Sequence, residues 1–117
     1  MPHLIDAPAL IPAEGNKVIQ EFVGRARTGD ERVSVAQMQS PPGWTEPFQT
    51  PEFLEITVVL EGTLHVDGEG GPMQVAAGQA IVVEPGETVR YSTPGGARYV
   101  AICLPAFSPD TVHRHTS

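Results

Sequence analysis

Cysteine is nearly absent. Cys103 is the only one in 117 residues, which excludes an intramolecular disulfide and a cysteine-built zinc cluster. Positive charge is scarce as well. Lys17 and six arginines face 14 acidic residues, for a formal net charge of -7 and a sequence pI near 4.9. The cations are scattered, whereas a surface that tracks phosphate needs them clustered. A nucleic-acid partner is therefore not expected, and the same scarcity argues against docking on anionic lipid. Long apolar runs are missing too, so no segment has the length to span a bilayer. Residues 1–17 (MPHLIDAPALIPAEGNK) lack the cationic start and apolar stretch of a leader. The expectation is a soluble cytoplasmic protein with no membrane and no nucleic-acid partner.

Glycine and proline, by contrast, are plentiful: 12 of each, about a fifth of the chain. Helix interiors tolerate neither well, and tight turns between short strands use both. Residues 17–23 (KVIQEFV) fit a strand or a single helical turn. Period-two alternation marks a strand over 32–38, with Val33 and Val35 on one face. The β-branched run FLEITVVL (53–60) ends at Glu61-Gly62, and TLHVD (63–67) follows at once. Further short strands fall at 73–75, 80–83, 88–92 and 98–104, separated by AAGQ, EPGE and TPGG. Short strands at regular spacing between Gly/Pro turns indicate an all-β sandwich or barrel. The chain divides into an N-terminal arm (1–16), a barrel domain (17–105) and an irregular C-terminal tail (106–117).

The spacing from Gly43 to Thr93 resembles the cupin family. In its first motif a glycine is followed by two histidines, a glutamate and a closing glycine; that frame falls here on Gly43, Gln49, Pro51, Glu55 and Gly62. The second motif falls on Gly78, Glu84, Gly86, Val89 and Thr93, with its proline displaced to Pro85. The resemblance implies an all-β, single-domain cupin β-barrel, a jelly roll or double-stranded β-helix. In metal-binding cupins the two histidines, the glutamate and the second-motif histidine converge on one divalent metal. Only Glu55 survives of those four positions, and Gln49 offers a weak neutral oxygen. Affinity for a transition metal rests on several N or O donors in defined geometry. No cofactor is therefore expected beyond a weakly bound divalent metal on Gln49 and Glu55. The resemblance also implies a homodimer formed by exchange of N-terminal strands. The ending AICLPAFSPDTVHR (101–114) is similar to the C-terminal segment of ectoine synthase and other small cupins, which casts His113 as a lid residue. The chain is also similar to cupins of ethanolamine utilisation, a branch in which the usual histidines can be missing.

Glu55 carries two readings. A carboxylate in a mostly apolar barrel has a raised pKa suited to proton transfer; alternatively it is a buried glutamate bonded to neighbours such as Gln49 or Tyr91. Tyr91 shares the inward face of its strand with Val89. It serves as a hydroxyl donor to substrate, as an unusual metal ligand, or as core packing. Trp44 and Phe48 frame the first motif, either as an apolar lip over a ligand or as packing for the arm or a partner subunit. Glu52 faces away from Glu55 on a regular strand, unless Pro51 shifts the register and pairs the two carboxylates. His65 and Arg90 read as outward residues and Cys103 as a small buried hydrophobe. His113 and His115 either fold back to supply imidazoles or stay in solvent. The chemistry expected is a pocket for a small, partly polar metabolite. It is either an enzyme site with Glu55 as acid/base and Tyr91 beside it, or a non-catalytic binding or accessory barrel. A metal-dependent enzyme with atypical ligands (Gln49, Glu55, Tyr91, a tail histidine) and a purely structural subunit are the remaining readings.

Overall fold

The computed structural model describes residues 1–115, so residues 116 and 117 of the expected tail lie outside it. The strands are β1 (Ala9–Ile11), β2 (Val18–Val23), β3 (Ser34–Ser40), β4 (Trp44–Thr45), β5 (Leu54–Gly68), β6 (Gly71–Ala76), β7 (Ala80–Val83), β8 (Arg90–Thr93) and β9 (Ala97–Leu104). All the pairings are antiparallel. One sheet runs β1-β2-β3-β9-β5, with β7 on the other side of β5; the second joins β4, β8 and β6 to β5. The two curl toward each other around a shared strand, the all-β barrel that the motif resemblance implied.

That shared strand differs from the sequence expectation. Instead of two strands broken at Glu61-Gly62, β5 is continuous for 15 residues and bends. Its pairing with β9 shifts register between Val59 and Glu61. One extra residue on one strand reverses which side chains point inward. Accordingly the buried set changes parity, from Glu55, Thr57 and Val59 before the bulge to Leu64 and Val66 after it. Gly62 makes the bend possible. Its φ is 76°, and a Cβ there would stand 2.3 Å from the Gly96 carbonyl oxygen. Only glycine meets both demands.

The interior has two apolar clusters. The larger packs Val59, Leu64, Val66, Val83, Tyr91 and Tyr99 between the sheets, and the smaller joins Phe53, Cys103 and Val112, with Phe107 against them. The second cluster brings the C-terminal tail into the fold. The Phe53 and Phe107 rings meet edge-on at 5.9 Å. The tail then runs alongside residues 48–52: Glu52 N donates to Thr111 O, Thr50 N to His113 O, and His115 N to Phe48 O. The arm is held by β1, whose Ala9 and Ile11 pair with Glu21 and Ile19. Among the described residues no helix is long and apolar enough to cross a membrane.

Candidate functional site

Glu55 and Cys103 are direct partners across β5 and β9. Directly opposed residues share a face of the sheet, so both side chains turn inward and meet. Tyr91 arrives from the second sheet, where β8 pairs with the far half of β5. Its hydroxyl donates to Glu55 Oε1 at 2.9 Å, and Cys103 Sγ donates to Oε2 at 3.6 Å. Glu55 is 7% exposed. Burial pushes its pKa up, against the opposing pull of the Tyr91 and Cys103 hydrogen bonds. Burial likewise raises Tyr91 and Cys103, and the nearby Glu55 charge raises both further. All three groups therefore hold their protons more firmly than in water. A carboxyl with its pKa raised in this way is a better proton donor to a bound group than an ordinary surface glutamate, while the thiol, kept protonated, is a poor nucleophile.

This trio borders a chamber of about 90 Å³ whose walls also include Gln49, Thr57, Phe53, Met38 and Tyr99. The chamber adjoins an outer groove of about 540 Å³ walled by Pro12, Gly15, Trp44, Thr45 and Pro47. Lys17, Ile19, Glu46 and Arg114 line both spaces and so form the neck between them. Lys17 Nζ stands 4.1 Å from the centroid of the Trp44 ring. Burial lowers the Lys17 pKa, opposed by the charges of Glu46 and Glu55. Burial raises that of Glu46, opposed by Lys17 and Arg114.

Of the residues singled out from sequence, Glu55, Tyr91 and Gln49 come together in the chamber. Gln49 is bound to the second motif through its backbone: its N donates to Val89 O at 2.8 Å, and Val89 N returns a bond at 2.9 Å. Trp44 is buried and walls the outer groove rather than the chamber. Phe48 lies on neither wall; its half-buried ring carries the Arg90 guanidinium at 4.7 Å. Glu52 and His113 are both exposed and form an ion pair with each other. Neither lines the chamber, and Glu52 does not pair with Glu55. The tail thus brings Arg114, not His113, to the neck. His65 is half-buried opposite Ser92, and His115 bonds Thr50 Oγ1 at 2.8 Å.

Three residues of the neck, Lys17, Glu46 and Arg114, carry no motif in the sequence. Lys17 was legible in principle, because Ile19 and Glu21 share its period-two face and it is the chain's single lysine. Arg114 carried no signal, since its position depends on the path of the tail. The donor set does not fit the metal of metal-binding cupins. Pro51 and Val89 present no donor atom, and both Glu55 oxygens already accept protein hydrogen bonds. Among the described residues no three His, Cys, Asp or Glu side chains gather as a metal site.

The sequence profile of the family described as "Cupin domain" matches residues 36–104. The endoribonuclease YbeY of Myxococcus xanthus is 43% identical over 109 residues, 92% of this chain and 37% of that protein. The acetate kinase EutQ of Salmonella typhimurium is 37% identical over 65 residues, 54% of this chain and 28% of that protein. The chain thus spans about a third of the length of the curated relatives it matches. Among solved structures, the ethanolamine utilisation protein EutQ of Salmonella typhimurium superposes with TM-score 0.63 at 28% identity, covering 78% of this chain and 71% of that one. An RmlC-like cupin of Shewanella frigidimarina gives TM-score 0.76 at 16% identity, with 89% of each chain covered; at that identity it speaks for the fold alone.

Proposed function

This chain belongs to the cupin family, and on that premise we propose that its chamber binds a small, partly polar metabolite on which Glu55 acts as general acid/base, without a standard cupin metal. One observation carries the reading: a carboxyl buried at the chamber wall, its pKa raised by burial, with Tyr91 beside it as a donor. Gln49 supplies an amide for orientation. Barrel residues 17–105 form the working unit, and arm and tail complete its walls through Ile11, Phe107 and Arg114. The curated relatives are proteins about two to two and a half times this length, and their names describe the whole of those proteins.

A second reading, a binding barrel without turnover, has its own support. Both Glu55 oxygens are engaged by protein donors, as in a purely structural carboxylate. A thermal-shift screen of small metabolites separates the two. Ligand binding stabilises the native state in either case, while turnover that vanishes in Glu55→Gln requires the acid/base role. Turnover retained in that variant removes Glu55 from the mechanism. Untagged protein carrying about one divalent ion per chain, lost in Glu55→Gln, would restore the metal-dependent reading.

The partner reading is a homodimer; in place of the exchange of N-terminal strands that the resemblance implied, we propose the outer face of the first sheet as its interface. Across it, Val82, Ile56, Ile102 and Val35 form a continuous apolar row, with Leu54 beside Leu104. Val82 and Leu104 are exposed. Contiguous apolar surface of this kind marks interaction sites. Light scattering should give twice the chain mass, falling to the chain mass in the Val82→Lys, Leu104→Lys double variant.

A further inference from the structure

The chain's seven cationic side chains divide sharply by position. Arg25, Arg27, Arg32, Arg90 and Arg98 each pair with a carboxylate on the outside of the molecule: Glu31, Asp6, Asp30, Asp67 and Glu61 in turn. The remaining two, Lys17 and Arg114, have no carboxylate within 4.0 Å among the described residues. They are also the two that line the neck of the chamber. Like charges are thus held together at an opening, in a protein with acidic residues to spare. The charges of Glu46 and Glu55 reach Lys17, yet neither carboxyl forms an ion pair with Lys17 or Arg114 among the described residues. Glu55 is turned to Tyr91 and Cys103. The half-buried Glu46 makes no side-chain hydrogen bond or ion pair among the described residues; burial raises its pKa against the pull of Lys17 and Arg114.

We propose that the chamber takes a short hydroxy- or amino-carboxylate, its carboxylate held between Lys17 and Arg114 and its hydroxyl or amine donating to Glu46. This rests on the reading of the chamber as a metabolite site and names the class of metabolite. Guanidinium and ammonium together are suited to a carboxylate, Arg114 through its planar fork and Lys17 as a point charge. Glu46, an acceptor without a partner, asks for a donor on the same ligand. The body of the ligand then passes between Ile11, Ile19, Met38 and Phe53 toward Tyr91 and Glu55. Those walls favour a short hydrocarbon, and a second carboxylate would meet Glu55 at the closed end. The size agrees. A chamber of about 90 Å³ is several times the roughly 10–15 Å³ that one water needs, the scale of a small monocarboxylic acid.

The test is calorimetric titration and thermal shift with lactate, alanine, propionate, 1,2-propanediol and inorganic phosphate. The proteins are the full chain and its Arg114→Gln, Lys17→Met and Arg98→Gln variants. Lys17→Met keeps the aliphatic stem over Trp44, Arg114 is exposed, and a urea midpoint checks each fold. Lactate or alanine should bind at least tenfold more tightly than propionate or the diol, and whichever is tighter identifies the donor as hydroxyl or amine. That binding should weaken at least tenfold in Arg114→Gln and in Lys17→Met. It should stay within twofold in Arg98→Gln, which removes the same charge at the surface. Equal affinity for diol and acid, undiminished binding in both neck variants, or phosphate as the tightest probe overturns the proposal. The diol result leaves the chamber reading standing. A metabolite screen in which nothing stabilises the protein removes both.

Discussion

Glu21 and Glu55 are both buried, at 6% and 7% exposure, and both line the same chamber. Their partners separate them. Glu21 Oε2 accepts backbone N–H bonds from Ala26 at 3.0 Å and Arg27 at 2.9 Å. It therefore closes the turn that follows β2. A Cβ on Gly24, at φ 148°, would stand 2.7 Å from that carboxyl group, so turn and glutamate are fitted to each other. Glu55 has only side-chain donors, a phenol and a thiol. Backbone donors stay put for as long as the fold does, whereas side-chain donors can swing to a ligand. The contrast teaches that burial of a carboxylate says nothing by itself about chemistry; what matters is whether its partners belong to the backbone or to groups that can exchange a proton.

The comparison can be broken most decisively at Glu21. Glu21→Ala leaves two backbone donors without their charged acceptor and should lower unfolding free energy by about 3 kcal/mol in urea melts. A loss below about 1 kcal/mol would make Glu21 as dispensable to the fold as Glu55 is expected to be. Next comes pH. The folded state holds the Glu55 proton above the ordinary 4.5, so it binds more protons than the unfolded chain as pH rises past that value. Stability should therefore fall from pH 4.5 upward until Glu55 has ionised in the folded state, by about 1.4 kcal/mol for each unit of elevation. Glu55→Gln should flatten that decline relative to the wild type. Parallel profiles for the two proteins would show that Glu55 titrates as in water.

A smaller effect is expected at Tyr91. Tyr91→Phe removes one donor to Glu55 and should cost about 1 kcal/mol. It should also raise the Glu55 pKa further, because that bond favours the ionised form. The carboxyl signal in NMR titration would read this directly, and a pKa that falls instead would reverse the assignment of Tyr91 as donor. The smallest change belongs to the surface. Arg98→Ala opens the exposed pair with Glu61 and should alter stability by less than about 0.5 kcal/mol in the same urea assay.

Much of this was legible residue by residue. Glycines and prolines marked the turns, alternation with Val89 placed Tyr91 on an inward face, and the motif frame placed Glu55 and Gln49; all three are buried. Motif spacing assigns Gln49 and Val89 to converging positions, and they pair through their backbones. The Glu61-Gly62 break misled because a glycine that ends a strand and a glycine that bends one look alike in sequence. The difference lies in the Gly96 carbonyl packed against it. The exposed pairing of Glu52 with His113 was hidden for a similar reason, as it joins segments 61 residues apart.

Local pattern determined what recurs over a few residues: strands, turns, the direction in which Glu55 points, and the loss of the usual metal donors at Pro51 and Val89. Those properties follow from backbone geometry and side-chain chemistry, which neighbouring residues carry with them. Tertiary structure alone decided which charges face the chamber. Lys17 comes from just before β2, Glu46 from beyond β4 and Arg114 from the tail. Their meeting at one neck depends on how the sheets curl and where the tail is anchored beside residues 48–52. Long-range electrostatics is a property of that closed shape, and no window of sequence contains it.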